Sequence, residues 1–408
     1  LAFPIQMIVM AIGLMIGIGS ASVFSRAFGR KDVEKMEQSV NTALRIDFVL
    51  AIVFTILGFV FIDELLIFFG ATASNIFYAK EYLSVILLGL VPLTLSMVLN
   101  NLTRAEGRAK TAMISMLIGT GLNIILDPIF IFDFGFGLGV RGAAIATVIS
   151  QSVAFIYILS ASLSHKSILH INFTKPFIID FSTIKEIIAV GFPTFLRNSI
   201  GAFLAIIIYR LINQYADGDP AIYISIFGVI NRIIMFIFMP GFGIVQGLVP
   251  IVGFNYGAKN FDRLKEVIIY ATKIIAIYFV FGFLFVQFFA RPIFTLFSDG
   301  NNQIFITYGT QSFKIVSIGF LLVGFQIVIS SVYQALGFPL RAMLTALSRQ
   351  AFFFIPLIFL FTSLFGLDGV WIAFASADFL SGLLGLGLMI YEMKVINQYK
   401  ERAPFQNA

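Results

Sequence analysis

Asn123 and Asp127 stand four residues apart in an apolar run, and Pro128 follows directly. At that spacing both side chains lie on one face of a helix. Pro128 has no N–H to offer the carbonyl of Ile124, so a backbone oxygen on the same turn is left free. Thr147 sits in the next apolar run at a matching depth. At 1.5 Å per residue, Asp127 is about 8 Å and Thr147 about 12 Å from the same membrane surface. A carboxylate, an amide oxygen, a hydroxyl and a free carbonyl make a hard-oxygen set suited to Na⁺. The same carboxylate could carry H⁺. The competing reading is a polar pair that glues two helices, but an ionisable side chain at this depth favours function.

Arg232 and Asp378 form a second candidate pair. Each lies about nine to eleven residues in from the outer surface, where an unpaired charge is expensive, so the two should face each other or a wet cavity. A purely structural ion pair is the alternative. Lys273 and Arg210, near helix ends, should snorkel. Arg197 and Lys314 lie deeper, with no role assigned. Met and aromatic surfaces repack around varied ligands, which makes Tyr209, Asn213, Met235, Met239, Gln246, Gln326 and Tyr333 candidates to line a substrate cavity.

Other chemistry is missing from the sequence. There is no Walker loop, no HExxH and no Ser/His/Asp constellation, so neither ATP hydrolysis nor any other enzyme activity is supported, and no cofactor is expected. Cysteine is absent. His165 and His170 fall in a polar connection and read as unspecialised. Gly17 and Gly19 read as a site where a neighbouring helix comes close, not as a nucleotide loop.

The elements that must position these residues are membrane helices. Of 408 residues, 59% are hydrophobic and 12% charged, and the mean hydropathy is +0.98. Soluble chains carry about a quarter charged residues. Eleven segments reach the roughly 20 apolar residues that a spanning helix needs: 1–25, 39–61, 80–103, 111–132, 139–163, 188–214, 220–250, 266–289, 303–335, 341–364 and 369–393. Lys and Arg concentrate in alternate connections, at 26–38, 104–110, 164–186, 255–265, 337–349 and after 393, whereas the opposite connections hold only Lys80, Arg141 and Arg291. The basic side is therefore expected to be cytoplasmic. The net charge of +6 reflects this topology and implies no nucleic-acid partner.

The chain also repeats itself. Gly19, Gly29 and Lys31 return 228 residues later as Gly247, Gly257 and Lys259. Ala105, Gly107, Ala112 and Met113 return at an offset of 230 as Ala335, Gly337, Ala342 and Met343, and Gly139, Val140 and Ala143 as Gly369, Val370 and Ala373. Tandem helical halves of this kind are usual in secondary transporters. The expected domains are an N-terminal helical lobe over 1–163, a cytoplasmic linker over 164–186 and a C-terminal lobe with its tail over 187–408. The segment 188–214 has no counterpart in the first half, so a 6 + 6 arrangement would have one helix preceding Leu1.

These residues resemble those of the multidrug and toxic-compound extrusion (MATE) family, in its bacterial DNA-damage-inducible-F-like branch. The resemblance rests on the two Gly/Gly/Lys segments, on Arg104, Glu106 and Gly107, on Asn123, Asp127 and Pro128, and on Gly139 through Thr147. It covers nearly the whole chain. It implies an all-α polytopic membrane protein with two pseudo-symmetric six-helix bundles in a V. It also implies that Asn123, Asp127 and Thr147 form the N-lobe cation site, together with an acid on a first helix that this sequence does not include. The second half departs from the sodium-coupled pattern: Phe353 and Leu357 stand where Asn123 and Asp127 would repeat, and 188–214 holds no acid. The implied activity is cation-coupled efflux of amphipathic or cationic organic compounds by a monomer in the plasma membrane, with H⁺ or Na⁺ as the coupling ion. A flippase for a lipid-linked oligosaccharide is a second reading, supported by Arg197, Arg232 and Lys314. A channel or receptor is a third.

Overall fold

The computed structural model describes residues 2–72, 74–172, 180–298 and 302–402. The end of the expected tail and positions 173–179 of the expected linker lie outside them. Within these residues the chain is helical, because a backbone crossing lipid must satisfy its hydrogen bonds internally. The helices are α1 (Ala2–Arg30), α2 (Val33–Val60), α3 (Ile62–Phe68), α4 (Ile76–Leu88), α5 (Leu90–Ala105), α6 (Ala109–Ile131), α7 (Gly139–Ser162) and α8 (Phe181–Tyr215). They continue as α9 (Pro220–Gly257), α10 (Phe261–Leu296), α11 (Gln303–Ser317), α12 (Phe320–Leu336), α13 (Pro339–Leu347), α14 (Ile355–Phe365) and α15 (Asp368–Arg402), with a π-helical segment, Ser348–Phe354, joining α13 to α14. Nine spans are long and apolar enough to cross a bilayer, and two bent pairs bring the number to eleven among the described residues. That matches the eleven expected segments.

The duplication reappears as repeated local structure. Lys31 and Lys259 both adopt positive φ, 61° and 55°. The next residue then caps a helix: Asp32 accepts from the Lys35 N–H at 3.0 Å, and Asn260 from the Arg263 N–H at 3.3 Å. Each pair is 228 residues apart. The α4/α5 span bends by 49° at Gly89 and the α11/α12 span by 47° at Gly319, 230 residues on.

The chain forms two compact units, Leu1–Phe195 and Leu196–Ala408, with the division inside α8. The first unit takes in the connection after α7. Leu169 is fully buried, the Ser167 hydroxyl and Ile168 N–H donate to Glu106 at 2.8 and 2.9 Å, and Asn172 N–H donates to Asn41 Oδ1 at 2.8 Å. The described part of the expected linker is thus strapped to the bundle. The start of α8 is tied down as well: Glu186 pairs with Arg26 at 2.8 Å and Lys35 at 3.4 Å. Gly19 permits a close approach there. A Cβ on it would sit 2.0 Å from the Ile187 carbonyl oxygen, and one on Gly191 would sit 1.9 Å from that of Met15. The second unit packs around a continuous apolar core that includes Phe279, Phe294, Phe313, Phe320 and Trp371.

Candidate functional site

In the first unit, α6 and α7 bring Asn123, Asp127 and Thr147 together. Asn123 Nδ2 donates to Asp127 Oδ1 at 3.0 Å along one helix face and reaches Thr147 Oγ1 on the neighbour at 3.4 Å. The Thr147 hydroxyl donates to its own helix at Ala143 O, 2.9 Å away, which leaves its lone pairs toward Asn123. Two features of the sequence set this geometry. The run after α6 turns back on itself, Leu138 N–H bonding to Phe130 O at 2.9 Å. A Cβ on Gly142 would lie 2.2 Å from that same Phe130 oxygen, so only glycine lets α7 begin this close to α6. Asp127 Oδ2 accepts no hydrogen bond from a described residue, and all three side chains are half-buried. Tyr82 of α4, absent from the sequence reading, lies near enough to feel the Asp127 charge. Among the described residues no cluster of three His, Cys, Asp or Glu could hold a metal. A single carboxylate among neutral oxygens suits one monovalent cation or one proton.

A second buried acid in this unit, Asp47 on α2, also escaped the sequence reading. It is 1% exposed, and its Oδ2 and the neighbouring Thr94 hydroxyl lack a hydrogen bond of good geometry. The signal was available, since Asp47 falls inside the segment 39–61.

The second unit corrects one pairing. Asp378 is buried as expected, but its partner is Arg349: Nε and Nη2 donate to its two oxygens at 2.5 and 3.3 Å. Arg232 is exposed on α9 and makes no bond to a described residue. Arg349 lay hidden because it reads as the end of a basic loop. The π-helical segment places it inside the bundle instead. A Cβ on Gly319, at the α11/α12 bend, would stand 2.4 Å from that of Asp378, so the bend comes into close contact with α15 beside the pair.

The cavity candidates divide. Tyr209, Asn213, Met235 and Met239 are exposed, and Gln246 is half-buried. Gln326 and Tyr333 are 5% and 1% exposed. Gln326 spends its amide on Thr345 O at 2.6 Å, so both belong to the packed interior and cannot line an open path there.

The eleven candidate spans and the repeated local structure define a polytopic membrane protein. A profile of the MatE family matches residues 1–129 and 193–360, and the chain belongs to this family of multidrug and toxic-compound extrusion transporters, which are not enzymes. It is 28% identical to the multidrug export protein MepA of Staphylococcus aureus (strain MRSA252) over 97% of this chain and 85% of that protein. Identity to the multidrug export protein MepA of Staphylococcus haemolyticus (strain JCSC1435) is likewise 28%, over 97% of this chain and 84% of that one. Among solved structures, it resembles the outward-facing conformation of a multidrug resistance MATE transporter of the MOP superfamily, with a TM-score of 0.90 at 25% identity over 97% of this chain and 87% of the other.

Proposed function

We propose that the protein is a monomeric secondary antiporter of a bacterial plasma membrane, exporting amphipathic or cationic organic compounds in exchange for H⁺ or Na⁺. The observation that carries this reading is the oxygen set shared by α6 and α7. Asp127 supplies the charge, Asn123 spans the two helices, and Thr147 offers a neutral ligand. A cation held there stabilises one arrangement of the helix pair. When it leaves, the carboxylate stands uncompensated and the pair can repack. A ligand shifts such an equilibrium only by its differential affinity for the two states, so the occupied and empty forms must differ in helix packing. The names of the relatives support export over lipid-linked oligosaccharide flipping or channel conduction. The basic connections and the C-terminus face the cytoplasm in this reading.

The test is transport of a fluorescent organic cation such as ethidium in proteoliposomes, with pH and Na⁺ gradients imposed separately. Uptake driven by one gradient and collapsed by its ionophore is the expected result. Uptake indifferent to both gradients would overturn the coupling.

A further inference from the structure

A charge imbalance in the second unit points beyond this reading. Phe238 and Phe242 lie one turn apart on α9, with ring centroids 6.3 Å apart. A guanidinium lies over each ring: Arg349 at 4.9 Å from the Phe238 centroid and Arg197, from α8, at 5.2 Å from that of Phe242. The two cations are close enough to repel each other. Asp378 compensates only Arg349, and it uses Nε and Nη2, leaving Nη1 without a partner among the described residues. Arg197 makes no hydrogen bond or ion pair with a described residue. Other acids of this unit are engaged elsewhere: Asp368 accepts from Tyr308, Glu392 from Arg341 and Glu266 from Arg263. Two half-buried cations therefore stand against one carboxylate, which bonds only one of them.

We infer that Arg197 and Arg349 form an anion-accepting site that takes the carboxylate or phosphate head of an amphipathic molecule, with its apolar body along the half-buried ring of Phe242. Several physical terms point the same way. An uncompensated guanidinium away from water is costly, and two nearby ones compound the cost. An oxyanion between them offsets both. The planar guanidinium fork matches carboxylate and phosphate oxygens in a way an ammonium does not. The Phe238 ring, buried in the core, covers one face of Arg349, and the half-buried Phe242 ring gives the ligand an apolar surface. A π-helical segment inside an otherwise α-helical span is itself a frequent mark of a functional site, and here it carries Arg349. The site is separate from Asn123, Asp127 and Thr147, and it widens the substrate class from cations to zwitterionic and anionic amphipaths.

Binding without any gradient tests this independently of coupling, so failure here leaves the role of Asp127 untouched, and the reverse holds too. The probes are pyrenebutyrate and its methyl ester, measured by fluorescence on the full chain in phosphatidylcholine nanodiscs. The acid should bind about tenfold or more tighter than the ester, the value of one charge-assisted bond. Arg197→Gln should erase that preference, Arg197→Lys should keep part of it, and Arg232→Gln should leave it unchanged. Because Arg349→Gln strands Asp378, the paired variant Arg349→Gln/Asp378→Asn is used to remove the second cation, and it should also lose the preference. Repeating the titration in nanodiscs containing phosphatidylglycerol identifies the source of the head group: competition names a lipid phosphate, and unchanged binding names a soluble amphipath. Equal affinity for acid and ester, or an undiminished preference in Arg197→Gln, would overturn the inference.

Discussion

Asp127 is the residue on which the transport reading turns, and its spacing from Asn123 was visible in the sequence because the pair lies on a single helix. Asp127→Asn preserves shape and removes the charge. It should fold and insert normally while gradient-driven export falls to the leak of empty liposomes. Full export at normal expression would reduce the pair to helix glue. Thr147→Ala removes one neutral oxygen worth about 1 kcal/mol, so export should weaken about fivefold at a limiting ion gradient. The pair in the second unit behaves differently. Asp378→Ala leaves Arg349 without its counter-ion and should cost about 3–5 kcal/mol, whereas Arg349→Met together with Asp378→Leu should recover most of it. Thermal unfolding midpoints in one detergent separate the two outcomes. That pairing was not legible, since 29 residues separate the partners and a basic residue near a span end reads as loop.

Helices make their own predictions at their crossing points. Gly19 and Gly191 sit where α1 and the start of α8 touch backbone to backbone, and no side-chain movement can admit a Cβ at 2.0 or 1.9 Å. Gly19→Leu should destabilise the fold by about 1–3 kcal/mol, the usual cost of overpacking, and so lower the unfolding midpoint. Gly228 in α9 has open space around it, so Gly228→Ala should raise stability by about 0.5–1 kcal/mol through helix propensity. The start of α8 is expected to respond to pH. Asp180 accepts a short hydrogen bond from the Thr183 hydroxyl and another from the Ser182 N–H. Chiefly the Thr183 hydroxyl, then the backbone N–H groups and Lys35, hold its carboxyl below the ordinary aspartate value of 3.8. A depressed acid stabilises the folded form above its unfolded value, and this is lost as pH falls through the folded one. Amide exchange at Ser182 and Thr183, compared at matched intrinsic rates, should therefore quicken only below the usual aspartate range. Thr183→Ala should move that onset upward.

The whole molecule offers a topology that can be mapped directly, because the chain has no cysteine to confuse single-cysteine labelling. Cysteines placed at Lys31, Lys166 and Lys259 should react with an impermeant maleimide only after the membrane is opened. One at Arg141 should react in intact cells. The opposite pattern would invert the orientation and with it the assigned direction of transport.

What the sequence determined by itself was everything carried by periodicity and composition: the eleven spans, the duplication, and the i, i+4 face of Asn123 and Asp127. Lipid imposes these locally, because each span must be apolar and satisfy its own backbone. The tertiary structure decided which distant groups meet. It paired Asp378 with Arg349 and left Arg232 exposed, since a π-helical turn rotates side chains by an amount that no apolar pattern encodes. It strapped Leu169 and its neighbours to the first unit through Glu106, where the polar composition of that stretch reads as a free linker. It also buried Gln326 and Tyr333, because a polar side chain that finds a carbonyl in the core need not face water. Contacts between elements depend on the few ångströms that glycines such as Gly19, Gly142 and Gly319 concede at a crossing, and that distance exists only once the helices have packed.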